Sequence, residues 1–134
     1  MPGEKTRLDV VGDATRRKVL GDAHVDRMAA ERNPFDGPFQ DLITRAAWGS
    51  VWSRPDLTPR ERSLITISLL AALGHHQELA MHIRATRNTG ASEADLRECL
   101  LHVALYAGLP AANAAIRIAK KTLAEMARGE GGST

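Results

Sequence analysis

An all-α fold is the class this sequence predicts, with six or seven short helices in a single compact domain. Three observations point there. Hydrophobic residues make up 43% and aromatics only 4%, and abundant Ala and Leu suit helices packed closely through small side chains. Helix start and stop signals recur along the chain. No stretch alternates polar and apolar residues as a half-buried strand does. A chain of 134 residues has material for one core and not two, so residues 1–134 are expected to form one domain, with disordered ends at 1–5 and 129–134.

The elements follow in order. A first helix is expected over "TRLDVVGDATRRKVL", stopped by Gly21, and a shorter one over "DAHVDRMAAER". "NPFDGP" breaks the chain with two prolines and a glycine. A third helix, "FQDLITRAAWGSVWSR", sets Trp48 and Trp52 one turn apart on one side and ends at Pro55. Thr58-Pro59-Arg60-Glu61 then supplies an N-cap threonine, a proline at the first helical position and a glutamate three residues on, which is a capping box. The helix "PRERSLITISLLAAL" becomes apolar almost all round, so its second half should be deeply buried, within the chain or partly by another subunit. Gly74 suits its C-terminal end. Residues 75–89 form the next helix, closed by Gly90. Ser92-Glu93-Ala94-Asp95 opens another with a looser box, and Pro110 sits in the first turn of the last, "PAANAAIRIAKKTLAEMAR".

Charge and cysteine content exclude several functions. A formal charge of +2, interspersed along the chain, is too weak and too mixed for a nucleic-acid footprint. The single cysteine, Cys99, allows no intramolecular disulfide and no dithiol redox chemistry. The first 30 residues lack an apolar h-region, so no secretory signal is expected. "LITISLLAALG" is too short to span a bilayer.

Titratable residues concentrate in "GHHQELAMH", residues 74–82, with three histidines and a glutamate. On a continuous helix His75, Glu78 and His82 share one face, and His76 turns away. Three readings are open. A single metal is poorly served, because His75 and His82 would be roughly 10 Å apart along the axis. An acid–base pair is well served, since Glu78 and His82 lie one turn apart and histidine titrates near neutrality. The third reading is a solvated helix face. Elsewhere, His102 between Leu101 and Val103 reads as a core histidine, Trp48 and Trp52 as core or interface aromatics, and Arg60 and Arg62 as a solvated first turn.

"RKVLGDAHVDR", then "FQDLITRAAWGSVWSRPDLTPRERSLITISLLAALGHHQELAMHIRATRNTGAS" and "ALYAGLPAANAAIRIAK", together resemble the carboxymuconolactone decarboxylase family over about Arg17 to Met126. The Gly21–Val25 stretch, the Trp48/Trp52 segment, the Glu78–His82 turn and Tyr106-Ala107-Gly108-x-Pro110 carry the likeness in combination. The resemblance implies the alkylhydroperoxidase D-like all-α fold and a cytoplasmic homo-oligomer, hexameric or built from trimers. It also implies a carboxy-lyase of the β-ketoadipate pathway of aromatic catabolism. Such an enzyme removes CO2 from 4-carboxymuconolactone, a small anionic lactone, to leave 3-oxoadipate enol-lactone, with no metal or other cofactor. No nucleic-acid or membrane partner is implied. His82 and Glu78 would be catalytic. His75, His24, Arg45 and Arg54 would hold the substrate, with Trp52 and Tyr106 walling its site, whereas Arg84 would be structural or intersubunit. Relatives in the wider superfamily that reduce peroxides carry a Cys-x-x-Cys pair and an upstream glutamate. Here His75 and Glu78 stand at the cysteine positions and Ser63 at the glutamate's, two residues from Glu61. Two further readings stay open: a relative acting on another small lactone or keto acid, and a non-catalytic helical oligomer that binds ligands.

Overall fold

Seven α-helices and one π-helical segment follow one another in the computed structural model, which describes residues 5–129. No strand occurs among the described residues. The expected disordered ends lie outside them, apart from Lys5 and Gly129. Contacts divide the chain after Leu57 into two compact units.

The first unit holds α1 (Arg7–Leu20), α2 (Asp22–Glu31), α3 (Gly37–Ile43) and the π segment (Thr44–Gly49). α1 opens on a capping box absent from the sequence reading. The Asp9 N–H donates to Thr6 Oγ1 at 3.3 Å and the Thr6 N–H donates to Asp9 Oδ2 at 2.9 Å. Those bonds, reinforced by Arg45, hold the Asp9 carboxyl below its usual range. Gly21, at φ 92°, makes the turn into α2 in a conformation side chains disfavour.

The third helix differs from expectation. It starts at Gly37 rather than Phe39, and after Ile43 it widens into a π turn that ends at Gly49, short of Pro55. The N–H groups of Val51 and Trp52 both donate to the Ala47 carbonyl, at 3.3 and 2.9 Å. Close packing accounts for the departure. α1 lies on the π segment, and a Cβ on Gly12 would stand 2.1 Å from the Thr44 carbonyl oxygen. One on Gly49 would stand 2.8 Å from that of Leu8. Backbone meets backbone here, and only glycine fits.

The second unit holds α4 (Pro59–Leu73), α5 (His76–Thr89), α6 (Glu93–Tyr106) and α7 (Leu109–Ala127). Both expected capping boxes form, Thr58 with Glu61 and Ser92 with Asp95. Arg60 is more than a solvated residue: its Nε and Nη2 fork onto Asp95 at 2.8 and 2.6 Å and tie the start of α4 to that of α6. α4 packs on α5, α6 and α7, and α7 packs on α5 and α6. Ile67, Leu79, Ile83, Leu96 and Leu100 form the centre, and Ala112, Ala115 and Ala119 let α7 approach closely. A buried Leu or Ile of this kind is worth about 1.5–3 kcal/mol. The second half of α4 is buried on one side only. Ile67 and Ala71 face the core, while Ile65, Leu69 and Leu73 are exposed.

Candidate active site

α5 positions the titratable cluster, and its beginning decides which residues align. Gly74 ends α4 in the left-handed region at φ 76°. His75 is therefore the N-cap of α5, with φ −86° and ψ 79°, and not a helical residue. Its carbonyl accepts the Leu79 N–H at 2.9 Å. The helix expected over residues 75–89 therefore begins one residue later, at His76, with His75 as its cap. Reversal through Gly74 requires a linking residue before α5 can begin.

Glu78 and His82 both lie within α5, one turn apart. They occupy different environments. Glu78 is exposed in the first turn, where the helix dipole favours negative charge. His82 is only 7% exposed, on a stretch of α5 that also buries Leu79, Ile83 and Ala85. A shielded imidazole one turn from a solvated carboxylate is suited to delivering a single proton where water is scarce.

Among the described residues no three His, Cys, Asp or Glu side chains gather as a metal ion requires. Ser63, at the position of the peroxidases' upstream glutamate, and nearby Glu61 are otherwise engaged. Ser63 is fully buried and its hydroxyl donates to Thr89 Oγ1 at 2.7 Å. The Glu61 carboxylate accepts the Thr58 N–H at 2.8 Å as part of the α4 cap.

The remaining predicted site residues divide between the units. Tyr106, at the end of α6, is 81% exposed and stacks on His102, with ring centroids 6.1 Å apart. His102 is thus an exposed residue and not the core histidine expected, because α6 turns that side away from its buried row of Leu96, Leu100 and Val103. In the first unit Trp52 lies beyond the π segment and meets buried Trp48 at 5.0 Å between centroids. Arg45 is engaged by Asp9 at 3.1 Å, and Arg54 by Asp56 at 3.3 Å in solvent. His24 on α2 is half-buried. Burial, then Arg27 and Arg16, hold its pKa below the usual 6.5. It therefore meets an anion at neutral pH as an uncharged donor. Arg84 pairs with Glu125 at 3.0 Å and joins α5 to α7, a structural role.

One residue escaped the sequence reading. Arg16 is half-buried on α1, beside an arginine of the usual paired kind. The signal was present: Arg17 has Asp13 four residues earlier, whereas Arg16 has Gly12 there.

Residues 37–121 match the carboxymuconolactone decarboxylase family. The chain belongs to that family. The match runs across the boundary at Leu57 and so takes in parts of both units. Among individual members, the chain is similar to a 4-carboxymuconolactone decarboxylase of Acinetobacter baylyi, at 48% identity over 86% of each chain. It is also similar to the nitrosuccinic acid decarboxylase npaB of Metarhizium robertsii, at 39% identity over 90% of this chain and 84% of the other. A third relative, a 4-carboxymuconolactone decarboxylase of Pseudomonas putida, is 56% identical over 46 residues, 34% of this chain and 94% of the relative. Family membership fits the seven α-helices and the absence of strands among the described residues.

Proposed function

We propose that the chain is a carboxy-lyase that converts 4-carboxymuconolactone to 3-oxoadipate enol-lactone and CO2, within the β-ketoadipate pathway of aromatic catabolism. The observation that carries this reading is the 48% identity to the Acinetobacter baylyi enzyme over 86% of each chain. A Glu78–His82 turn suited to proton delivery supports it.

The substrate explains why so little machinery is needed. Its ring carboxylate sits on the carbon γ to the lactone carbonyl, separated from it by a double bond. When the bond to CO2 breaks, the electron pair moves through that double bond onto the lactone oxygen as a dienolate. The substrate is its own electron sink, so the reading assigns no cofactor. The protein then stabilises the oxyanion and returns one proton to the α carbon. His82 is the donor, and Glu78 holds it in its donating state. His75, His24, Arg45, Arg54, Trp52 and Tyr106 are the candidates for holding the anion and walling the site. Arg45 and Arg54 are the weaker ones, as each already has a carboxylate.

A homo-oligomer, hexameric or trimer-based, belongs to the same reading. Ile65, Leu69 and Leu73 on α4, Leu101 and Leu105 on α6 and Leu109 at the start of α7 are exposed apolar side chains that an oligomer would bury. No helix among the described residues is long and apolar enough to cross a membrane, which is compatible with a cytoplasmic location.

The test is direct decarboxylation of the lactone by purified protein. His82→Ala is expected to lower kcat by about 10²–10⁴, and a chelator to leave the rate unchanged. Near-normal turnover by His82→Ala removes the donor assignment, and chelator-sensitive activity restored by zinc removes the cofactor-free mechanism. A second reading is favoured by the npaB likeness. In nitrosuccinic acid a nitro group takes the place of the lactone as electron sink beside the departing carboxylate. Turnover of nitrosuccinate without turnover of the lactone decides for that reading.

A further inference from the structure

Arg16 and Arg17 are neighbours on α1 with opposite surroundings. Arg17 is enclosed by three carboxylates, those of Asp13, Asp22 and Asp26, at 3.0, 3.2 and 2.9 Å. Arg16 is half-buried, and the acceptor on its Nη2 is the neutral amide of Gln40, at a long 3.3 Å. Its Nε is buried and meets no acceptor among the described residues. The acid near enough to act on it, Asp13, is already bonded to Arg17. His24 on α2 does not relieve the charge, since it lies within electrostatic reach of both Arg16 and Arg27.

A half-buried cation whose nearby carboxylate is bonded to another arginine is unfavourable. Here the fold maintains one within electrostatic reach of His24. Nε and Nη2 share the edge of the guanidinium that meets the two oxygens of a carboxylate. One of these donors is unmet and the other is on a weak, exchangeable bond. We propose that Arg16, with His24 within electrostatic reach, forms a carboxylate-binding subsite on the first unit that receives a carboxylate of the substrate. The identity of the anion rests on the decarboxylase reading; the site itself rests on the surroundings of Arg16. Gln40 holds the guanidinium in place when no anion is bound.

Succinate, an unreactive dicarboxylate, separates the two. It is expected to bind the intact protein saturably and to raise Tm. Arg16→Gln should weaken succinate about tenfold or more and raise KM for the lactone by a similar factor, with kcat changed far less. Arg16→Lys, which keeps the charge but loses the fork, should fall between. Lys18→Gln removes the same charge two residues away, from an exposed side chain that holds none of these carboxylates, and should leave succinate affinity within about twofold. If Arg16→Gln fails to fold, Gln40→Glu serves instead, because its carboxylate should occupy Arg16 and displace succinate. The proposal is overturned by equal succinate affinity in wild type and in the folded Arg16 or Gln40 variant, by an equal loss in Lys18→Gln, or by no saturable binding at all. Arg16-dependent succinate binding without lactone turnover keeps the subsite and removes the decarboxylase reading.

Discussion

Ile67, Leu79 and Ile83 in the second unit are almost wholly removed from solvent and sit among seven further buried apolar side chains. In the first unit the corresponding interior is Val19, Val25 and Trp48, together with the glycines at 12, 37 and 49. The second unit is thus held by apolar side chains filling the space between four helices. The first is held by backbones brought into contact at glycine, and by carboxylate–arginine pairs across its surface. Apolar burial scales with area and tolerates modest reshaping. Glycine contacts tolerate almost none.

The largest effect expected from this contrast is at Leu79. Leu79→Ala leaves a cavity in the densest part of the second unit and should cost about 3–5 kcal/mol. Chemical denaturation measures the loss, and amide exchange should quicken through α4 to α7. A loss below about 1 kcal/mol would mean the four-helix core is not what stabilises this unit. Gly12→Ala comes next, at about 2–3 kcal/mol. Its Cβ meets the Thr44 carbonyl oxygen, a backbone atom that cannot swing aside. Both tryptophans of the chain, Trp48 and Trp52, lie in the first unit, so their fluorescence reports on it. A Gly12→Ala protein with unaltered tryptophan emission and an unaltered melting curve breaks the comparison.

The same contrast governs what could be read from the sequence. Side-chain signals survive in a sequence, and backbone proximity does not. Thr58-Pro59-Arg60-Glu61 and Ser92-Glu93-Ala94-Asp95 were legible as caps because capping depends on residue type at fixed spacing. The π segment was not, because it results from Gly49 approaching Leu8, a contact made by residues far apart in the chain. In the candidate site, the Glu78–His82 turn was legible because both residues fall within one helix. The position of His75 was missed because the αL turn at Gly74 displaced the helix start by one residue. His102 was misread because its apolar neighbours in sequence lie on different sides of α6. The unusual state of Arg16 depends on where three carboxylates lie relative to two adjacent arginines, and spacing supplied only the pair Asp13–Arg17.

The smallest effect is also the one that separates the units by pH. Capping carboxylates occur in both: Asp9 in the first, Glu61 and Asp95 in the second, each held below its ordinary value by cap hydrogen bonds, by an arginine, or by both. A depressed carboxylate stabilises fully above its unfolded pKa, 3.8 for Asp and 4.5 for Glu. That stability is lost as pH falls further, through the folded value. Neither unit should therefore respond to its carboxylates between pH 7 and about 5. His24 behaves differently. Its folded pKa lies below 6.5, chiefly through burial, so beneath that pH the unfolded chain binds more protons than the folded one. Stability of the first unit should begin to decline as pH falls through 6.5 and level off below the folded value. A melting series between pH 7 and 5, followed by tryptophan emission, should show this slope, and His24→Gln should flatten it. A slope that persists in His24→Gln would place the proton uptake elsewhere and leave His24 no different from an exposed histidine.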